Sequence, residues 1–124
     1  MKQLVNIRKA LRSFRFAGAG VFSLFRYENN ARIHLLAALL VVTMSIILDL
    51  SALEWCVVVI QIGLVSGAEA MNTAIEKLAD VVSPDYHPTI KVAKDLAAAG
   101  VLILSVSAVI IGGILFIPKL FALV

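Results

Sequence analysis

The residues of this chain best suited to chemistry lie in one run, Glu69-Ala-Met-Asn72-Thr-Ala-Ile-Glu76-Lys-Leu-Ala-Asp80. A helix turns about 100° per residue, so positions 69, 72, 76 and 80 fall within an arc of roughly 80°. Three carboxylates and an amide therefore share one helical face. Glu69 follows the uncharged run Val65-Ser-Gly-Ala68, so it belongs to an apolar segment and not to its wet end. An ionisable group at membrane depth is expensive and faces a protein interior or a cavity, which marks Glu69 as functional. Hard carboxylates can hold Mg²⁺ while leaving positions for phosphate oxygens, and Glu28 could supply one of them. Lys94-Asp95 could bring a cation to a polyphosphate, and Asp85-Tyr86-His87 adds an acceptor, an aromatic face and an imidazole. His34 and His87 show no zinc-site spacing, and there is no Gly-x-x-x-x-Gly-Lys-[Ser/Thr] loop, so nucleotide chemistry here is not that of a P-loop or a protein kinase.

These side chains need a scaffold, and the composition says which kind. Of 124 residues, 61% are hydrophobic and 15% charged, against about 45–50% and about 25% in soluble domains. With a mean hydropathy of +1.00, the chain lacks the polar surface that a small water-soluble fold requires. One Cys and three Pro exclude disulfide-stapled and collagen-like classes, and Cys56, inside a hydrophobic stretch, reads as packing. The expectation is an all-α membrane protein forming a single domain over residues 1–124.

Its parts follow from periodicity and charge. Leu4, Ile7, Leu11, Phe14 and Ala17 oppose Arg8, Arg12 and Arg15, which predicts an amphipathic surface helix over 1–28. Transmembrane helices are expected at 31–48, 53–72 and 96–117, since about 20 apolar residues cross a bilayer. The third carries no charge over 22 residues and is closed by Pro118 and Lys119.

Seven of the eleven Lys and Arg residues lie in the first 32 positions: Lys2, Arg8, Lys9, Arg12, Arg15, Arg26 and Arg32. Interleaved with Phe14, Phe16 and Val21, they do not form a signal peptide, and in so apolar a chain they suit a lipid bilayer surface and no nucleic acid. The 77–95 loop holds Lys77, Lys91 and Lys94, whereas 49–54 has no cation. The positive-inside rule then puts the N-terminus and the 77–95 loop in the cytoplasm, as a multi-pass protein of the cytoplasmic membrane. Gly63 and Gly67, and Ser105, Ala108 and Gly112, would let helices approach closely, within one subunit or between subunits.

The run Glu69-x-x-Asn72-Thr73-Ala74-Ile75-Glu76, then Asp80, Tyr86-His87 and Ala93-Lys94-Asp95, resembles the signature of the prokaryotic diacylglycerol kinase family, small trimeric membrane enzymes that include undecaprenol kinase. Gly20, Glu28 and Asn30-Ala-Arg32-Ile-His34 match that family's N-terminal part, so the resemblance covers roughly residues 13 to 118. It implies ATP-dependent phosphorylation of a membrane lipid alcohol, diacylglycerol or undecaprenol, in a bacterial inner membrane by a homotrimer with shared active sites. It implies Glu69 as the general base contacting the lipid hydroxyl, and Glu28 and Glu76 as the pair holding Mg²⁺ with ATP. Asn72, Asp85, Tyr86, His87, Lys94 and Asp95 fall at nucleotide-contacting positions. Phe16 stands where the diacylglycerol branch often has Tyr, and Ala98 where it tends to have Ser; the 94–102 and 112–118 runs look more like the undecaprenol kinase branch.

Two other classes compete on the residues alone. An oligomeric channel or proton-conducting protein lined by intramembrane acids would use Glu69 but give Asp85-Tyr86-His87 and Lys94 no task. A purely structural subunit would leave Glu69 and Asn72 at depth unexplained.

Overall fold

The computed structural model describes residues 4–124, and Lys2 lies outside them. The chain is all-helical: α1 spans Ile7–Tyr27, α2 Asn29–Ile47, α3 Ala52–Val82 and α4 Pro88–Phe121. The last three are long and apolar enough to cross a membrane.

Local chemistry sets each boundary. Asn6 caps α1 by accepting from the Lys9 backbone N–H at 3.0 Å. At the other end Glu28 adopts an extended conformation and serves as C-cap of α1 and N-cap of α2. Arg32 ties this corner, its Nε–H donating to the Phe25 carbonyl at 3.0 Å and a second guanidinium nitrogen to the Arg26 carbonyl. Carbonyls orphaned at the end of a helix are thereby satisfied by a cation from the next one.

α2 ends in a Schellman motif. Leu50 donates to the Ser45 carbonyl at 3.2 Å and Asp49 to that of Ile46 at 3.3 Å, with Asp49 left-handed at φ 51°. A short polar side chain tolerates that conformation. Ser51 then opens α3 with a capping box, accepting from the Glu54 N–H at 3.2 Å while the Glu54 carboxylate accepts from the Ser51 N–H at 3.1 Å.

α3 and α4 pack most extensively on each other, α2 packs on α3, and α1 touches α2 and α3. The backbones of α2 and α4 do not approach one another, so α3 is the floor of an open groove whose walls are α2 and α4. Leu50, Val58 and Phe116 form the buried core at one end, with Val41, Met44, Trp55 and Leu115 against them. There Lys119 Nζ lies 3.1 Å from Glu54 Oε2, clamping α4 to α3. Elsewhere the spans turn Leu36, Leu40, Val109 and Ile114 outward. Water would not tolerate such continuous apolar faces; lipid does.

The connection between α3 and α4 is shorter than the expected 77–95 loop. Residues 77–82 continue α3 and 88–95 begin α4, leaving 83–87 outside the helices. Pro88 at the first helical position lacks only an N–H that would have no partner there, and His87 Nδ1 caps α4 by accepting from Thr89 N–H at 3.2 Å. Nor does Pro118 close α4, which continues to Phe121; in a last turn a proline forfeits a single ladder bond. At 1.5 Å per residue α3 is about 46 Å long, enough to cross about 30 Å of hydrocarbon and run on for about three turns. Ser51→Ala removes half of the α3 capping box and is expected to destabilise the fold by about 1 kcal/mol, read as a lower midpoint of thermal unfolding by circular dichroism in detergent.

Candidate functional site

The site forms where the far half of α3 passes the α1–α2 corner and the start of α4. Glu69 and Asn72 are 4% and 7% exposed, and Glu76 is half-buried on the same face. Asn72 Nδ2–H reaches Glu76 Oε1 at 3.4 Å, whereas its buried Oδ1 has no partner. Glu76, Glu28 and His34 all lie within electrostatic reach of Glu69. The first three residues of the helical arc thus point inward while Asp80 is exposed, and the corner residue Glu28 joins them from another element.

Four of the acids have a basic partner, whereas Glu76 is met only by the Asn72 amide. His34 Nε2, on α2, stands 3.6 Å from Glu69 Oε2. Lys77 Nζ lies 3.2 Å from Glu28 Oε1, linking α3 to the corner. Lys94 Nζ lies 3.1 Å from Asp80 Oδ1, fastening the end of α3 to α4. Asp95 pairs with Lys91 one turn earlier, at 2.6 Å, and so does not act as a unit with Lys94. These pairs, His34–Glu69 excepted, are partly or well exposed, and exposed pairs contribute little stability. Their importance is positional.

The remaining residues singled out from the sequence stand further apart. Asp85, Tyr86 and His87 occupy the exposed connection before α4, where Ser83 Oγ–H donates to the Asp85 carbonyl at 2.8 Å. Phe16 is exposed midway along α1 and takes part in none of the acid pairings. Among the described residues no three metal-ligating side chains converge. Glu28 and Glu76 are two hard oxygen donors on separate elements, a set that suits a cation sharing its coordination sphere with phosphate and water, not an all-protein cage.

Two participants escaped the sequence reading. His34 enters the sequence reading only as a zinc ligand that is dismissed and as part of the matching run at 30–34, with no role at the site; its signal is an imidazole inside the apolar α2. Lys77 was counted only as loop charge; its adjacency to Glu76 was the clue.

Beyond Glu69 the groove between α2 and α4 opens as a cavity of about 310 Å³. Its lining is mainly aliphatic, with His34, Gln61, Ser66 and Ser105 as the polar exceptions. The site therefore sets Glu69 behind His34 and Ser66 at one end of an apolar slot, with Glu76, Lys77 and Asp80 outward along the same helix. Gly63 and Gly67 have open space where a Cβ would be, so close packing within the subunit is not what these glycines serve.

The sequence model of the prokaryotic diacylglycerol kinases matches residues 15–116. An undecaprenol kinase of Bacillus subtilis is 37% identical over 93% of this chain and 94% of its own. A diacylglycerol kinase of Synechocystis is 41% identical over 90% of this chain and 64% of its own, and one of Escherichia coli K12 36% identical over 60% and 61%. With an all-helical fold of three membrane-length helices beneath these matches, the chain belongs to the prokaryotic diacylglycerol kinase family.

Proposed function

We propose that the protein is a membrane lipid kinase, transferring the γ-phosphoryl group of ATP to the hydroxyl of a membrane lipid alcohol, diacylglycerol or undecaprenol. Its relatives bear the names of kinases for both lipids. The observation that carries the reading is the place of Glu69, a buried carboxylate beside His34, which lines the end of an apolar groove. A lipid alcohol delivers its hydroxyl at that depth, with its chain along the groove, and Glu69 takes the hydroxyl proton as the oxygen attacks phosphorus.

Phosphoryl transfer asks mainly for positioning and charge neutralisation, which a small fold can provide. Glu28 and Glu76 would hold Mg²⁺, which when bound neutralises charge on the ATP phosphates. The unpartnered Asn72 Oδ1 beside Glu76 supports this, since it leaves an acceptor for a hydrated cation or a nucleotide donor. Lys94, held at the end of α3 by Asp80, directs an ammonium towards the phosphates. Asp95, Asp85, Tyr86, His87 and Phe16 complete the nucleotide contacts, with Tyr86 and Phe16 offering exposed aromatic faces.

A homotrimer with composite sites fits this arrangement. One subunit leaves the groove open between α2 and α4, and the open space over Gly63 and Gly67 admits a neighbouring helix. The basic α1 and the lysines at 77, 91 and 94 favour a site on the cytoplasmic side of the inner membrane.

Glu69→Gln is expected to lower turnover at least about a hundredfold with ATP binding retained; turnover near that of the unaltered protein removes Glu69 from the role. Glu76→Gln is expected to raise the Mg²⁺ concentration needed for half-maximal activity, and an unchanged requirement counts against the metal assignment. Purified protein in micelles with labelled ATP, Mg²⁺ and each lipid tests the whole reading. Label in neither lipid defeats it, and the ratio of the two transfers identifies the substrate.

A further inference from the structure

A carboxylate as buried as Glu69 needs a partner, because an isolated buried charge is costly. Among the described residues no N–H or O–H donor is hydrogen-bonded to it, and His34 Nε2 at 3.6 Å is the one cation-forming group within 4 Å. The cations of the α1–α2 corner are committed elsewhere, Lys77 to Glu28 and Arg32 to the Phe25 and Arg26 carbonyls. His34 also lines the α2 wall of the groove. One imidazole therefore stands between the buried acid and the slot through which an apolar ligand would enter.

We propose that His34 is the positioning residue of Glu69. Its Nε2–H donates to one carboxylate oxygen and leaves the other oxygen free to meet a hydroxyl at the end of the groove. This rests on the reading of Glu69 as general base. At 3.6 Å the pair is electrostatic and not yet a hydrogen bond, and such contacts tighten when substrate closes the site. In the step itself the lipid O–H bond breaks and its proton goes to the free oxygen of Glu69. The hydroxyl oxygen bonds the γ-phosphorus while the bond from that phosphorus to the bridging oxygen breaks, and ADP leaves with the electron pair. His34 keeps its own proton throughout and touches neither ATP nor phosphorus.

A donor role makes a distinctive prediction, because glutamine can present an N–H where leucine cannot. His34→Leu, His34→Gln and Glu69→Gln are purified in detergent. Lipid phosphorylation, ATP affinity by calorimetry and thermal unfolding are measured for each. His34→Leu is expected to lose about tenfold or more in kcat, with ATP affinity and unfolding midpoint unchanged, and His34→Gln to recover to within about threefold of the unaltered protein. A fully active His34→Leu overturns the proposal, and so does an equal loss in both variants, which would assign His34 to filling space. Those results beside an inactive Glu69→Gln sink His34 alone; an active Glu69→Gln removes the base and the proposal with it.

Discussion

The constraint on which this structure depends is the cost of placing a carboxylate within an apolar segment. Glu69 can be there only because protein surrounds it, and each neighbouring element contributes to that shelter. α2 brings His34, the α1–α2 corner brings Glu28, and α3 itself brings Asn72 and Glu76 one and two turns further on. The length of α3 matters as much as its composition. A helix that only crossed the hydrocarbon would end near Asn72, leaving Glu76, Lys77 and Asp80 on a loop without a common face. By continuing to Val82, α3 carries one face from the apolar interior into the polar boundary. In the proposed reaction, an apolar-tailed alcohol and a polyphosphate would then meet along a single rigid element.

Charge pairing makes that element a fixed reference for the others. Lys77–Glu28 ties α3 to the corner, and Lys94–Asp80 ties it to α4. At the opposite end Glu54–Lys119 and the Leu50, Val58 and Phe116 core join the same helices. The groove between α2 and α4 is thus bounded at both ends but not roofed by its own subunit. A floor with two separated walls explains how so few residues bound a slot.

Much of this was legible in the sequence, for identifiable reasons. Apolar runs long enough to cross a bilayer have few alternative structures, because unsatisfied backbone polar groups are not tolerated there; hence three spans followed from hydropathy. Helical periodicity placed Glu69, Asn72 and Glu76 on one face without any tertiary information. The 83–87 connection was less legible. Charge and polarity mark where a segment leaves the membrane, not where it stops being helical, so Lys77 to Val82 read as loop while the backbone stayed in α3. Pro118 misled similarly, since its effect depends on how many residues follow.

Pairings between elements were the least legible because they depend on packing. Lys94 and Asp95 are adjacent in sequence and so suggested one unit. On a helix, adjacent residues diverge by about 100°, and each instead met the charge its own face presented, Asp80 for Lys94 and Lys91 for Asp95. His34 shows the same limit in sharper form. No spacing within α2 announces a partner, because that partner, Glu69, stands on a different helix, brought alongside only when α2 packs on α3. A buried acid in one helix is therefore reason to search the apolar runs of its neighbours for a single polar side chain, since the acid's burial requires that something answer it.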